Sequence, residues 1–130
     1  MKIKKTTPVF IVDTIEASLP FWEALGWSKT VDVKHGSALG FVILVNGTEE
    51  MMLQTRVSLE DDLEQTKLLA PKCVFYIEVE SLDEAKASIK GGRVLVEERK
   101  TFYGAREAWV VDPAGILLGL AETSAAPAEK

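Results

Sequence analysis

A strand–helix–three-strand pattern that runs through the chain twice is what most restricts its fold. Val9-Phe10-Ile11-Val12 is a short β-branched and aromatic run of strand character. Asp13-Thr14 follows with helix N-cap chemistry, and residues 16–25 carry apolar side chains at helical spacing up to Gly26. Pro20 inside that stretch is compatible with a helix only near its first turn. Three strand candidates come next, at 27–33, 38–45 and 49–56, with Asn46-Gly47 read as the centre of a type I′ hairpin turn. A polar stretch, 58–70, predicts a linking helix or ordered loop ended by Pro71. The order then recurs. Residues 74–79 form a strand, and Ser81 and Glu84 have capping-box spacing at the head of a helix that runs to Gly91-Gly92. Strands at 93–98, 105–111 and 116–121 complete the second set. Val12-Asp13-Thr14-Ile15-Glu16 even matches Val79-Glu80-Ser81-Leu82-Asp83 class by class, about half a chain apart. The fold class expected is therefore α+β, built from two tandem βαβββ modules.

Composition removes several functions. The 130 residues suit one domain, residues 1–123, with modules at about 6–57 and 72–122, a linker at about 58–71 and a disordered tail at 124–130. One cysteine, Cys73, and one histidine, His35, rule out an internal disulfide, a cysteine-rich zinc site and a multi-histidine metal site. Cys73 has only Lys72 as a basic neighbour and reads as an inert thiol. His35, beside Gly36, reads as a loop residue. The net charge of -5 disfavours nucleic acid and anionic membranes; it suits solubility first and a cationic ligand second. No apolar run is long enough to span a bilayer and no export signal is legible, which makes the cytoplasm the default location.

Ile11-Val12-Asp13, Phe21-Trp22, Leu25-Gly26-Trp27 and Val110-Val111-Asp112-Pro113-Ala114-Gly115, in that order and spacing, resemble the vicinal-oxygen-chelate superfamily. That superfamily includes glyoxalase I, bleomycin-resistance proteins and extradiol dioxygenases. The resemblance extends to Glu122 and implies a curved mixed sheet around a cleft. It also implies a divalent metal held from the first and last strand of each module. The matching positions here are Thr6, Gln54, Val74 and Gly119, with a one-residue slip left open. Two of these have no side-chain donor and one neutral amide cannot hold a transition metal, so neither a metal nor another cofactor is expected. The superfamily's common pairing of modules across chains further implies a homodimer.

Alternation along each strand extends those positions into a cleft. Counting from Thr6 turns Pro8 and Phe10 inward; from Gln54, Met52 and Glu50; from Val74, Tyr76; from Gly119, Leu117. The orientation of Trp109 depends on the turn. A three-residue Pro113-Ala114-Gly115 loop pairs Asp112 with Ile116 and sets Trp109 across from Gly119, where it would have solvent or ligand on one side. A two-residue loop would turn it into the core. Trp22 and Trp27 read as packing residues; Phe102 and Tyr103 read equally as cleft rim or loop anchor; Arg106 and Glu107 read as a surface pair. The expected ligand-binding residues are Phe10, Met52, Gln54, Tyr76, Trp109, Leu117 and Phe102, with no catalytic residue.

Two functions follow from the resemblance. One is metal-independent sequestration of an aromatic or cationic small molecule, as in antibiotic resistance of the bleomycin type. The other is a lyase, isomerase or dioxygenase of glyoxalase type with unusual ligands, for which Glu50, Glu78, Glu107 and Glu122 are the available carboxylates. A protein-interaction module on the same scaffold is a third reading.

Overall fold

The computed structural model describes residues 1–123, so the tail expected to be disordered lies outside the described residues. Eight strands and three helices follow the doubled order: β1 (Ile3–Val12), α1 (Ile15–Ala24), β2 (Ser28–His35), β3 (Ala38–Asn46), β4 (Glu49–Thr55), α2 (Arg56–Asp62), β5 (Cys73–Val79), α3 (Leu82–Ser88), β6 (Arg93–Lys100), β7 (Ala105–Val111) and β8 (Leu117–Thr123). The strands form one mixed sheet in the order β2-β3-β4-β1-β5-β8-β7-β6. β1 runs parallel to β4, while β3 is antiparallel to β2 and β4, and β7 to β6 and β8. The fold class is the one the repeat predicts. The chain divides into two compact units, Thr7–Val74, and Met1–Thr6 together with the chain from Phe75 onward.

In the first unit, α1 covers Val42, Leu44, Met51 and Leu53, with Ile15 fully buried beneath it. Pro20 is the sixth residue of α1, deeper than a first-turn position, and its missing N–H leaves the Glu16 carbonyl without its helical donor. Thr14 caps α1 through backbone geometry alone; no side-chain bond forms. Glu16 instead turns back to accept the Leu39 amide at 2.7 Å, which ties α1 to β3 and lowers its pKa. At the other end Gly26, at φ 101°, donates to Glu23 and Trp27 donates to Trp22, a Schellman closure that needs the left-handed region. The β3–β4 hairpin differs from expectation. Asn46 pairs with Glu49, so Gly47-Thr48 form the turn, and positive φ falls on Gly47, as in type II′. Asn46 is then free to donate its side-chain amide to the Gly26 carbonyl at 2.9 Å.

In the second unit, α3 covers Val79, Ala108, Val110 and Leu120. Ser81 caps it by accepting the Glu84 amide at 3.1 Å, as the capping-box spacing predicts. The β7–β8 turn is the three-residue form. The Asp112 amide donates to Ile116 and Gly115 sits at φ 95°. His35 ends β2 rather than lying in a loop, and its Nε2 meets Asp61 of α2 at 2.6 Å. Among the described residues no helix is long and apolar enough to cross a membrane.

Candidate functional site

The two units each have a sheet face away from their helix, and Met52 and Gln54 on the first unit and Trp109 on the second lie on these faces.

On the first unit that face carries Val9, Ile11, Met52 and Gln54, because parallel pairing sets Val9 beside Met52 and Ile11 beside Gln54. Phe10 is not among them. It stacks on Trp22 at 6.1 Å and 12°, packed into the α1 core. Parity on β1 runs one residue off the expected count from Thr6: Thr7, buried with an unpartnered hydroxyl, shares a face with Val9 and Ile11. Gln54 is half-buried and donates to Ser58 Oγ at 3.2 Å. Its replacement by alanine is expected to change unfolding free energy by less than about 1 kcal/mol, since one part-exposed hydrogen bond is at stake. Urea denaturation measures this, and a loss of several kcal/mol would show a structural role.

On the second unit the alternation works in favour of the site. Ala108 and Val110 point to α3, so Glu107, Trp109 and Val111 point away from it. Arg106 and Glu107, as neighbours on a strand, therefore lie on opposite faces and form no pair. Glu107 is fully buried, 0% exposed. Tyr76 of β5 donates a hydrogen bond to its Oε2, and Tyr103 donates to the same oxygen at 2.6 Å. Trp109 Nε1 and Arg99 Nε donate to Oε1 at 2.9 and 3.0 Å. A carboxylate has about four lone-pair positions, and here four donors occupy them. Arg99 supplies the countercharge that a buried carboxylate needs.

Trp109 pairs with Gly119, and the absence of a side chain there is required. A Cβ on Gly119 would lie 2.7 Å from Trp109 Cη2. Gly119→Ala should therefore destabilise by about 1–3 kcal/mol through overpacking; an unchanged melting temperature would show that the indole is elsewhere. The indole is only 6% exposed, so the open side expected for it is closed. Tyr76 leans on it at a centroid distance of 6.2 Å and 46°. Leu117, paired with Val111, is fully buried and offers no surface to a ligand. Phe102, 97% exposed, stands at the tip of the β6–β7 loop with its ring edge-on to Tyr103 at 5.1 Å. Tyr103 anchors that loop through its hydroxyl while the residue stays exposed.

Burial and the Glu107 carboxylate both oppose ionisation of the two phenols. Tyr103 is pushed up to about 12, and Tyr76 is raised further. The folded state holds these protons above the unfolded tyrosine range. The stability they contribute is complete below about pH 10 and declines as pH rises toward about 12. Tyr76 and Tyr103 are the chain's two tyrosines, so absorbance at 295 nm reports this cluster alone. Little tyrosinate is expected at pH 10.5 in the folded protein, with ionisation appearing together with loss of structure. A normal titration near pH 10 in folded protein would contradict the network.

The positions that the superfamily resemblance would give a metal do not suit one. Gly119 has neither a donor nor space for one, Val74 is buried and apolar, and Gln54 offers one neutral amide. Among the described residues no group of three His, Cys, Asp or Glu side chains is placed to hold a metal ion.

No protein-family model and no curated protein sequence matches the chain. Solved structures do. A glyoxalase/bleomycin resistance protein/dioxygenase superfamily member from Vibrio splendidus is 17% identical, with a TM-score of 0.65 over 91% of this chain and 97% of that one. A hypothetical protein from Bacillus halodurans is 19% identical, with a TM-score of 0.67 over 98% and 100%. Methylmalonyl-CoA epimerase from Streptomyces coelicolor, in complex with 2-nitronate-propionyl-CoA, is 20% identical, with a TM-score of 0.66 over 96% and 99%.

Proposed function

We propose, for a chain that has the glyoxalase/bleomycin resistance/dioxygenase fold, a metal-independent small-molecule-binding function centred on the aromatic face of the second unit. The observation that carries this reading is the Trp109 indole lying over Gly119, at a strand position where the resemblance would place a metal-ligating side chain. Glu107, the buried carboxylate beside it, is saturated by four donors. That leaves it poorly suited to capture a metal and well suited to fix the rings around it. The ligand-facing groups are then the exposed ring of Tyr103 and Phe102, with Tyr76 and Trp109 held behind them. An aromatic molecule stacked on such rings gains about 0.5–1.5 kcal/mol per ring beyond area burial.

The test uses protein purified without chelator. Metal analysis should find less than one-tenth of an equivalent, roughly the level of adventitious loading, and a planar aromatic compound should quench tryptophan fluorescence saturably. Phe102→Ala should weaken that quenching at unchanged melting temperature, because the side chain is almost fully exposed. Stoichiometric tightly held metal would overturn the reading, as would quenching indifferent to Phe102.

A further inference from the structure

We propose that Arg56, in the first unit, anchors a separate binding site for a small monocarboxylate. The site lies at the corner where β4 passes into α2, and it does not depend on the aromatic face of the second unit.

Arg56 carries a positive charge that its surroundings leave unbalanced. Among the described residues no carboxylate pairs with it; Glu60, one turn further along α2, is out of reach, and Asp61 is held by His35 at 2.6 Å. Its Nη2 donates to the Pro71 carbonyl at 3.1 Å, whereas its Nη1 is buried and meets no acceptor in the protein. A neutral carbonyl does not compensate a cation, and a buried guanidinium nitrogen without an acceptor is unfavourable. A negatively charged acceptor relieves both defects at once.

The fold dictates where that acceptor must sit. Thr55 is extended, at φ -76° and ψ 151°, so Arg56 leaves the chain on the sheet face that carries Met52 and Gln54. β1 lies between β4 and β5, and Ile11 donates its amide to the Lys72 carbonyl. To reach Pro71 the Arg56 side chain therefore crosses the end of β1, where Ile11 and Gln54 are its neighbours on that face. Ala70, just before Pro71, is held at φ 43°, a conformation that a Cβ disfavours. Lys72, exposed and without an ion pair among the described residues, adds a second positive charge beside the Pro71 carbonyl.

Charge and shape then select the ligand. The planar guanidinium offers parallel N–H groups that match the two oxygens of a carboxylate. One half-buried cation beside the apolar Ile11 compensates one negative charge, and a phosphate dianion would keep an uncompensated charge there. No bond holds Nη1 in place, so rotation about the last torsions of the half-buried Arg56 turns it toward a solute.

The experiment is an NMR titration of the isotope-labelled full chain with sodium acetate, read at the Arg56 Nε–H and at the backbone amides of Arg56 and Lys72. Sodium phosphate and sodium chloride at matched ionic strength are the controls. Acetate should give saturable shifts at these groups, phosphate weaker ones, and chloride none that saturate. Arg56→Gln should abolish saturation. Arg56→Lys keeps the charge without the fork and should weaken binding about tenfold, the scale of one hydrogen bond to a charged group. Wild type should also melt higher in acetate than in chloride, a difference that Arg56→Gln loses. Shifts that do not saturate would mean that water alone meets Nη1. That outcome, an equal response to phosphate, or acetate binding unchanged in Arg56→Lys would each overturn the proposal, whether or not Arg56→Gln folds.

Discussion

Replacing Glu107 by alanine is expected to destabilise the protein by about 3–5 kcal/mol, the cost of removing one partner from a buried charge pair. The side chain is completely buried, and its loss removes an acceptor from the Trp109 indole N–H, the Arg99 guanidinium and the Tyr76 hydroxyl at once, leaving Tyr76 its longer contact with the Tyr103 hydroxyl. The hydroxyl of Tyr103 loses this acceptor too, but it keeps Tyr76 and belongs to an exposed residue. Arg99 is partly exposed, which lets solvent recover some of its share and favours the lower end of the range. Glu107→Gln keeps the shape and one acceptor oxygen but turns an amide N–H₂ toward other donors, so it should fall between wild type and alanine. Urea denaturation of the three proteins gives the ordering. A Glu107→Ala loss below about 1 kcal/mol would mean that the four hydrogen bonds are not formed together in solution.

Trp109→Ala is expected to cost about 3–5 kcal/mol as well, for a different reason. The indole fills the volume above Gly119 and carries Tyr76 against it, so truncation leaves a cavity and one unfilled acceptor position on Glu107 Oε1, which keeps Arg99. Trp109→Phe separates the two contributions, since it restores most of the ring and none of the N–H. Its loss should be about 1–3 kcal/mol, dominated by the unmet hydrogen-bond position on a buried carboxylate. Should alanine and phenylalanine prove equally mild, the ring would have to lie in solvent, contrary to its burial. Because Trp109 is buried, loss of ligand quenching in the alanine variant would not by itself mark a contact residue. The exposed Phe102 gives the cleaner binding test.

The sequence left the β7–β8 turn, and with it the pairing of Trp109 with Gly119, open between two forms, but by itself it determined the doubled βαβββ order, the α3 cap at Ser81 and the Gly26 closure of α1. These are local: each depends on a few adjacent residues whose backbone preferences and hydrogen bonds act within one turn. Period-two alternation from Trp109 would also have reached Glu107, two residues back on the same strand face. The adjacent Arg106 masks this, because a charged residue beside an opposite charge looks like a surface pair until the strand separates their faces. Only the tertiary structure decided the rest. Phe10 went to the helix face because parity on β1 is fixed by pairing with β4, more than forty residues away, as Val9↔Met52 shows. The Glu107 network needed β5, β6, the β6–β7 loop and β7 to converge, since Tyr76, Arg99 and Tyr103 come from separate places in the chain. A carboxylate becomes bearable in a buried site only when such distant donors arrive together, and no local rule of sequence records that they will.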